Sequence, residues 1–138
     1  MSTVSIRRPP VTFQQDVNGA TGTTSFPSGS SAGVANNGIT SAAERVHVAV
    51  RYQVASGTVS TDVYLYGYSA AIGQWLWIKQ IGGGSLTANT GRYADAATVS
   101  LVEAVDMGGE NYDRYATRVV SPQGTSPVVS TWIGIERL

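Results

Sequence analysis

The residues able to do chemistry are few, and their spacing does not assemble them. His47 is the only histidine of the 138 residues, and there is no cysteine. A nucleophilic triad or a histidine-based metal site would have to be built around that one imidazole, and no His-x-x-x-His spacing exists. Without a thiol there is no sulfur nucleophile and no thiolate ligand. Asp106, Glu110 and Asp113 flank Met107-Gly108-Gly109. Carboxylates on a glycine-rich bend suit calcium, which takes several oxygen ligands. Their spacing fits neither an EF-hand nor a nonapeptide repeat, so a solvated hairpin tip is the favoured reading. The nine acids offer many pairs for glycoside hydrolysis, but no spacing selects one. Gly82-Gly83-Gly84 follows a strand pattern without the helix, or the Lys-Ser/Thr, that a phosphate cradle needs. The expectation is a protein that is not an enzyme and holds no cofactor or metal.

The more informative residues are aromatic and cationic. Tyr64, Tyr66 and Tyr68 alternate along one strand face, and Trp75 and Trp77 along a face of the next strand. If those strands form a hairpin, five rings share one surface. Exposed, they make a stacking platform for sugars or a dry patch for another protein. Buried, they fill a core. The tryptophans are expected to be at least partly buried. The tyrosines are expected on the outer face or in a contact between subunits, because Val63 and Leu65 already supply a core side. Arg114 and Arg118 share a strand face opposite Tyr115 and Thr117. Eight of the nine cations are arginine, with Lys79 the exception. Arginine desolvates more readily than lysine and suits interfaces, although so small a count also fits chance or a GC-rich genome.

These side chains need elements to hold them, and from Arg45 onward the chain alternates apolar and polar residues nearly without interruption. Val46, Val48, Val50, Tyr52 and Val54 make one face of a strand, with His47, Ala49, Arg51 and Gln53 on the other. Further strands are expected over 62–68, 75–81, 97–105, 113–120 and 128–137. Turns are expected at Ser56-Gly57-Thr58, at Gly82-Gly83-Gly84 and over Pro122–Pro127. Ala42-Ala43-Glu44 offers one helical turn at most. The pattern predicts an all-β fold: an antiparallel β-sandwich, jelly-roll-like, over residues 45–138. Residues 1–44 read as an extended polar N-terminal arm. Arg7-Arg8-Pro9-Pro10 forces extended backbone, and the tract behind it is rich in Gly, Ser, Thr and Asn. Such a tract cannot bury enough to offset its ordering entropy. It orders on a neighbouring subunit or, nearly as well, folds back as an edge strand on its own domain.

Formal net charge is zero and the charged fraction only 13%. A neutral chain is not built to capture nucleic acid or an anionic membrane. No apolar stretch follows the twin arginines, so no secretory signal is read, and no run is long enough to cross a bilayer. A weakly charged surface keeps copies apart poorly, so a homo-oligomer or a tight partner is expected.

The polar leader, Val46–Val54, the run Asp62-Val63-Tyr64-Leu65-Tyr66-Gly67-Tyr68 into Trp75-Leu76-Trp77-Ile78, Tyr112–Val119 and the terminal Thr131-Trp132-Ile133-Gly134-Ile135 together resemble small virion proteins of tailed bacteriophages. The resemblance is one of overall pattern over about two-thirds of the chain. It implies a capsid decoration or cement protein, assembled in the host cytoplasm, whose partners are the major capsid protein or other virion subunits. It also implies that the arm can lace across neighbouring coat subunits. A tail or neck position, and a lectin-like carbohydrate-binding module, are the alternatives. The expected interface residues are Arg7, Arg8, Pro9, Pro10, Val11 and Phe13 of the arm, Tyr64, Tyr66 and Tyr68, and Arg114 and Arg118.

Overall fold

A computed structural model describes residues 11–26, 34–35, 43–87, 98–107 and 112–137. Eight strands follow in order: β1 (Thr12–Ala20), β2 (Val34–Ala35), β3 (Ala43–Gln53), β4 (Ser56–Ser69), β5 (Gln74–Thr87), β6 (Thr98–Asp106), β7 (Arg114–Thr125) and β8 (Val128–Arg137). They form two four-stranded sheets, β1-β8-β3-β6 and β2-β7-β4-β5, called here the first and second sheet.

The pairing explains the topology. The first strand pairs with the last, β2 with β7, β3 with β6 and β4 with β5, all antiparallel. This is one long hairpin folded upon itself. Lateral pairing of β3 with β8 and of β4 with β7 wraps it into two sheets. The expected jelly-roll sandwich is therefore the observed fold.

Alternation sets what lies between the sheets. Val46, Val48, Val50 and Tyr52 of β3 point inward and meet Val59, Val63 and Leu65 of β4, all fully buried or nearly so. Tyr115 and Val119 of β7 and Val129 and Ile133 of β8 complete the centre. Each such side chain contributes about 1.5–3 kcal/mol on leaving water. Gly67 of β4 lies beneath the Tyr112 ring, where a Cβ would come within 2.3 Å of a ring carbon.

The strand bounds correct four expectations. Gly57 and Thr58 lie within β4, and the link from β3 is Val54-Ala55. Gly82-Gly83-Gly84 continues β5, because its backbone still pairs with Thr61 and Asp62. Pro122 lies within β7 where the register with β4 shifts, a place a strand tolerates a residue without an N–H. The β7–β8 turn is shorter than expected and turns at Ser126 with a φ of +51°. Ala43 and Glu44 are strand residues of β3, where a helical turn had been the candidate.

The largest correction concerns the arm. Thr12–Ala20 is a strand of the first sheet, paired along β8. The first sheet thus includes Thr12–Ala20, outside the expected 45–138 sandwich, and this described part of the leader folds back on its own domain. Further on, Thr24 exchanges hydrogen bonds with the Val119 backbone, and Thr23 Oγ1 accepts from the Ser121 N–H. The leader therefore satisfies edge groups of β7 in the second sheet.

Two polar seams join the sheets. At one side, the β1 register shifts between Gln15 and Val17, and the extra residue is Asp16. A bulge re-aims its side chain inward, where Asp16 Oδ2 accepts from the Thr117 N–H at 2.7 Å and from Thr117 Oγ1 at 2.6 Å. Thr117 Oγ1 also meets Thr131 Oγ1 at 2.5 Å. At the other side, Lys79 of β5 pairs with Glu103 of β6.

Candidate functional site on the outer face of the second sheet

The residues expected to act together divide between opposite faces of the sandwich. Arg7, Arg8, Pro9 and Pro10 lie outside the described residues. Val11 and Phe13 sit on the outer face of the first sheet, over Gly134. Phe13 meets His47 edge-on at 6.2 Å, and His47 Nε2 lies 2.7 Å from Glu136 Oε2. His47 is therefore a half-buried partner within that face. Arg51 lies over the Trp132 ring there, 5.7 Å from its centroid.

Tyr64, Tyr66, Tyr68, Arg114 and Arg118 are brought together on the outer face of the second sheet. Inward Val63, Leu65 and Gly67 of β4 force the tyrosines outward, and each tyrosine is half-buried. Register does the rest. Tyr64 lies opposite Arg118, Tyr66 opposite Ala116 and Tyr68 opposite Arg114. On the other flank Tyr66 faces Trp77 and Tyr68 faces Trp75. That last alignment needs a bulge in β5, where two residues answer the single step from Leu65 to Tyr66. Without it Ile78 would stand opposite Tyr66 and the tryptophans would fall out of line. With it, Ile78 packs against the core.

The rings make a connected surface. Phe26 meets Tyr66 edge-on at 4.6 Å and stacks on Trp75 at 5.8 Å with only 9° between planes. Tyr68 tilts onto Trp75 at 5.3 Å. Both arginines lie on rings: Arg114 is 4.5 Å from the Tyr68 centroid, and Arg118 is 5.3 Å from that of Phe26. Such contacts hold a guanidinium in a fixed plane. Trp75 is half-buried as expected, but Trp77 is 57% exposed. Its indole stands on the edge strand with β4 on one side only.

Phe26 is the residue that sequence reasoning missed. It precedes Pro27-Ser28-Gly29 and reads as turn material. The available signal was its setting: a large ring in a polar tract gains by covering apolar surface, and the aromatic stripe offers one.

The two described carboxylates flanking Met107-Gly108-Gly109, Asp106 and Asp113, hold separate partners. Asp106, in β6 of the first sheet, pairs with Arg45 at 2.7 Å. Asp113 Oδ2 accepts from the Ala70 N–H beside the second sheet. Glu110 lies outside the described residues. Among the described residues no group of three or more metal-ligating side chains assembles, and no helix is long and apolar enough to cross a membrane.

No family model, no curated protein and no solved structure matches this chain.

Proposed function

We propose that this protein is a non-enzymatic structural component of a virion, a decoration protein that seats on a phage head through the outer face of its second sheet and reinforces it. One observation carries the reading. A sheet face that could have been covered with Ser and Thr instead presents Tyr64, Tyr66, Tyr68, Trp75, Trp77 and Phe26, with Arg114 and Arg118 laid over two of the rings. Tyrosine, tryptophan and arginine are the residues that concentrate binding energy at protein interfaces. Two further features support it. Jelly rolls recur among viral capsid domains, which is an argument from fold analogy alone. A surface with few charges gains little from staying solvated as a monomer. Each contact need not be tight, because repetition across a symmetric lattice supplies avidity.

The exposed Trp77 also favours a second reading, a lectin-like face that stacks a sugar ring. The two readings separate experimentally. A tagged chain is produced during a productive infection, particles are banded on a density gradient, and the band is probed for the tag. The decoration reading expects the chain in the particle band at a fixed ratio to coat protein. A chain found only in the soluble fraction contradicts it, and specific binding on a glycan array that is lost on Trp77→Ala would then favour the lectin reading.

A further inference from the structure

We infer that Phe26 is a removable cover on the docking face, held down by a short strap of the leader, and that the partner takes the place of its ring. The inference rests on the docking reading above and adds how the face opens and what chemistry enters it.

The other rings of the face stand on β4 and β5, and strand register fixes them. Phe26 is held differently. It ends the stretch 21–26, which belongs to no strand. Two neighbouring threonines tie this strap to β7. The Thr24 N–H donates to the Val119 carbonyl at 2.9 Å, and Thr24 Oγ1 accepts from the Val119 N–H at 3.0 Å. Thr23 Oγ1 accepts from the Ser121 N–H at 2.9 Å and lies 3.1 Å from Ser121 Oγ. The Thr23 bonds are exposed, and exposed bonds with little apolar burial behind them are the first to open. Gly22, at the foot of the strap, has open space where a side chain would stand, and glycine leaves the backbone a wide choice of angles.

The ring sits on the centre of the face. It meets Tyr66, the middle tyrosine, at 4.6 Å, Trp75 at 5.8 Å and the Arg118 guanidinium at 5.3 Å. A partner approaching Tyr66 and Trp75 therefore meets Phe26 first. Closure has a cost beneath the ring. Arg118 Nε is buried with no hydrogen-bond partner. A buried donor without an acceptor is unfavourable, more so on a charged group. Lifting the ring opens a path to that guanidinium. A partner segment that brings an aromatic side chain with a carbonyl or carboxylate beside it replaces the ring contacts and supplies the missing acceptor together. The leader supplies only the ring.

Amide exchange of the full chain reads the strap with no partner present. Thr24 and Val119 are expected to be protected at least about a hundredfold less than Val48 and Val50 of β3, because the strap opens while the sandwich stays folded. Equal protection at the two places overturns the inference. A lock tests the partner step. Thr23→Cys with Ser121→Cys sets two thiols where hydroxyls now lie 3.1 Å apart, in a chain with no other cysteine. Diamide oxidises the pair to a disulfide, and dithiothreitol reverses it. The oxidised chain keeps Phe26, and it is expected to stay folded and to leave the particle band, while the reduced chain bands. An oxidised chain that bands as fully as the parent overturns the cover and leaves the docking reading in place. Phe26→Ala, which bares the face, is expected to half-saturate purified particles at a concentration about threefold or more below that of the parent, since no closed state competes. Weaker docking of Phe26→Ala makes the ring part of the contact and also overturns the cover. A parent chain absent from the particle band removes the docking reading itself, and the cover's partner with it.

Discussion

Asp16 Oδ2 lies 2.7 Å from the backbone N–H of Thr117, a bond that ties the first strand of one sheet to the seventh strand, in the other. The same oxygen takes the Thr117 hydroxyl, and the chain continues to Thr131. Burial pushes the Asp16 carboxyl above its ordinary value of 3.8, and the two bonds from Thr117 only partly oppose that. The sign follows directly. A carboxyl with a raised folded-state value binds its proton more tightly when folded. It therefore adds stability that is complete below 3.8 and is lost as pH rises through the raised value. Urea midpoints measured from neutral to acid pH should show the parent protein gaining on Asp16→Asn as pH falls. A constant difference between the two would contradict the assignment.

The same carboxyl has a structural role that an alanine exposes. Asp16→Ala leaves the Thr117 N–H and hydroxyl without their acceptor in a part-buried seam. The expected cost is about 1–3 kcal/mol in chemical denaturation. The loss should not be confined to β1: amide exchange should quicken in β1 and in β7 together, since both meet at this bond.

Gly67→Ala places a methyl against the Tyr112 ring, at a distance no real Cβ adopts. The ring root cannot swing clear without moving backbone, so overpacking of about 1–3 kcal/mol is expected. Thermal unfolding should fall by several degrees while the fold persists. An unchanged midpoint would show that Tyr112 does not rest on β4 as described.

Truncations test where the domain starts. Removing residues 2–10 leaves every described strand in place and serves as the reference truncation. Removing residues 2–26 takes away β1, the Asp16 bonds and the Phe26 ring, and bares the edge of β8. The midpoint should then fall by at least about 4 °C, and the bared edge should promote association. Equal behaviour of the two truncations would return the leader to the status of a detached arm.

Much of the architecture was legible because period-two alternation is a direct record of sheet faces. Val46 to Val54 and Val63, Leu65 and Gly67 declare their inner side, and the outward tyrosines follow by parity. The jelly-roll pairing was approachable for the same reason, with strands joined by turn residues. What alternation cannot record is a bulge. The extra residue at Ile78 aligns Trp77 with Tyr66, and the extra residue at Asp16 turns a carboxylate into the core, yet neither has a local signature. The leader misled for a related reason. Its apolar content is low, so its order comes from backbone pairing and from hydroxyls such as Thr23 and Thr24 that meet strand edges elsewhere. Composition registers none of those long-range bonds. Nor does the sequence show a partner for His47, because Glu136 lies 89 residues away in sequence.

The direct measurement for the docking face is particle banding of a Tyr64→Ser, Trp77→Ser chain beside the parent. Trp77 is largely exposed and Tyr64 half-buried, both on the outer face, so the double variant should unfold at nearly the parent temperature. It is expected to stay folded and to disappear from the particle band. A folded variant that bands with particles as fully as the parent would show that attachment, if it occurs, uses another surface.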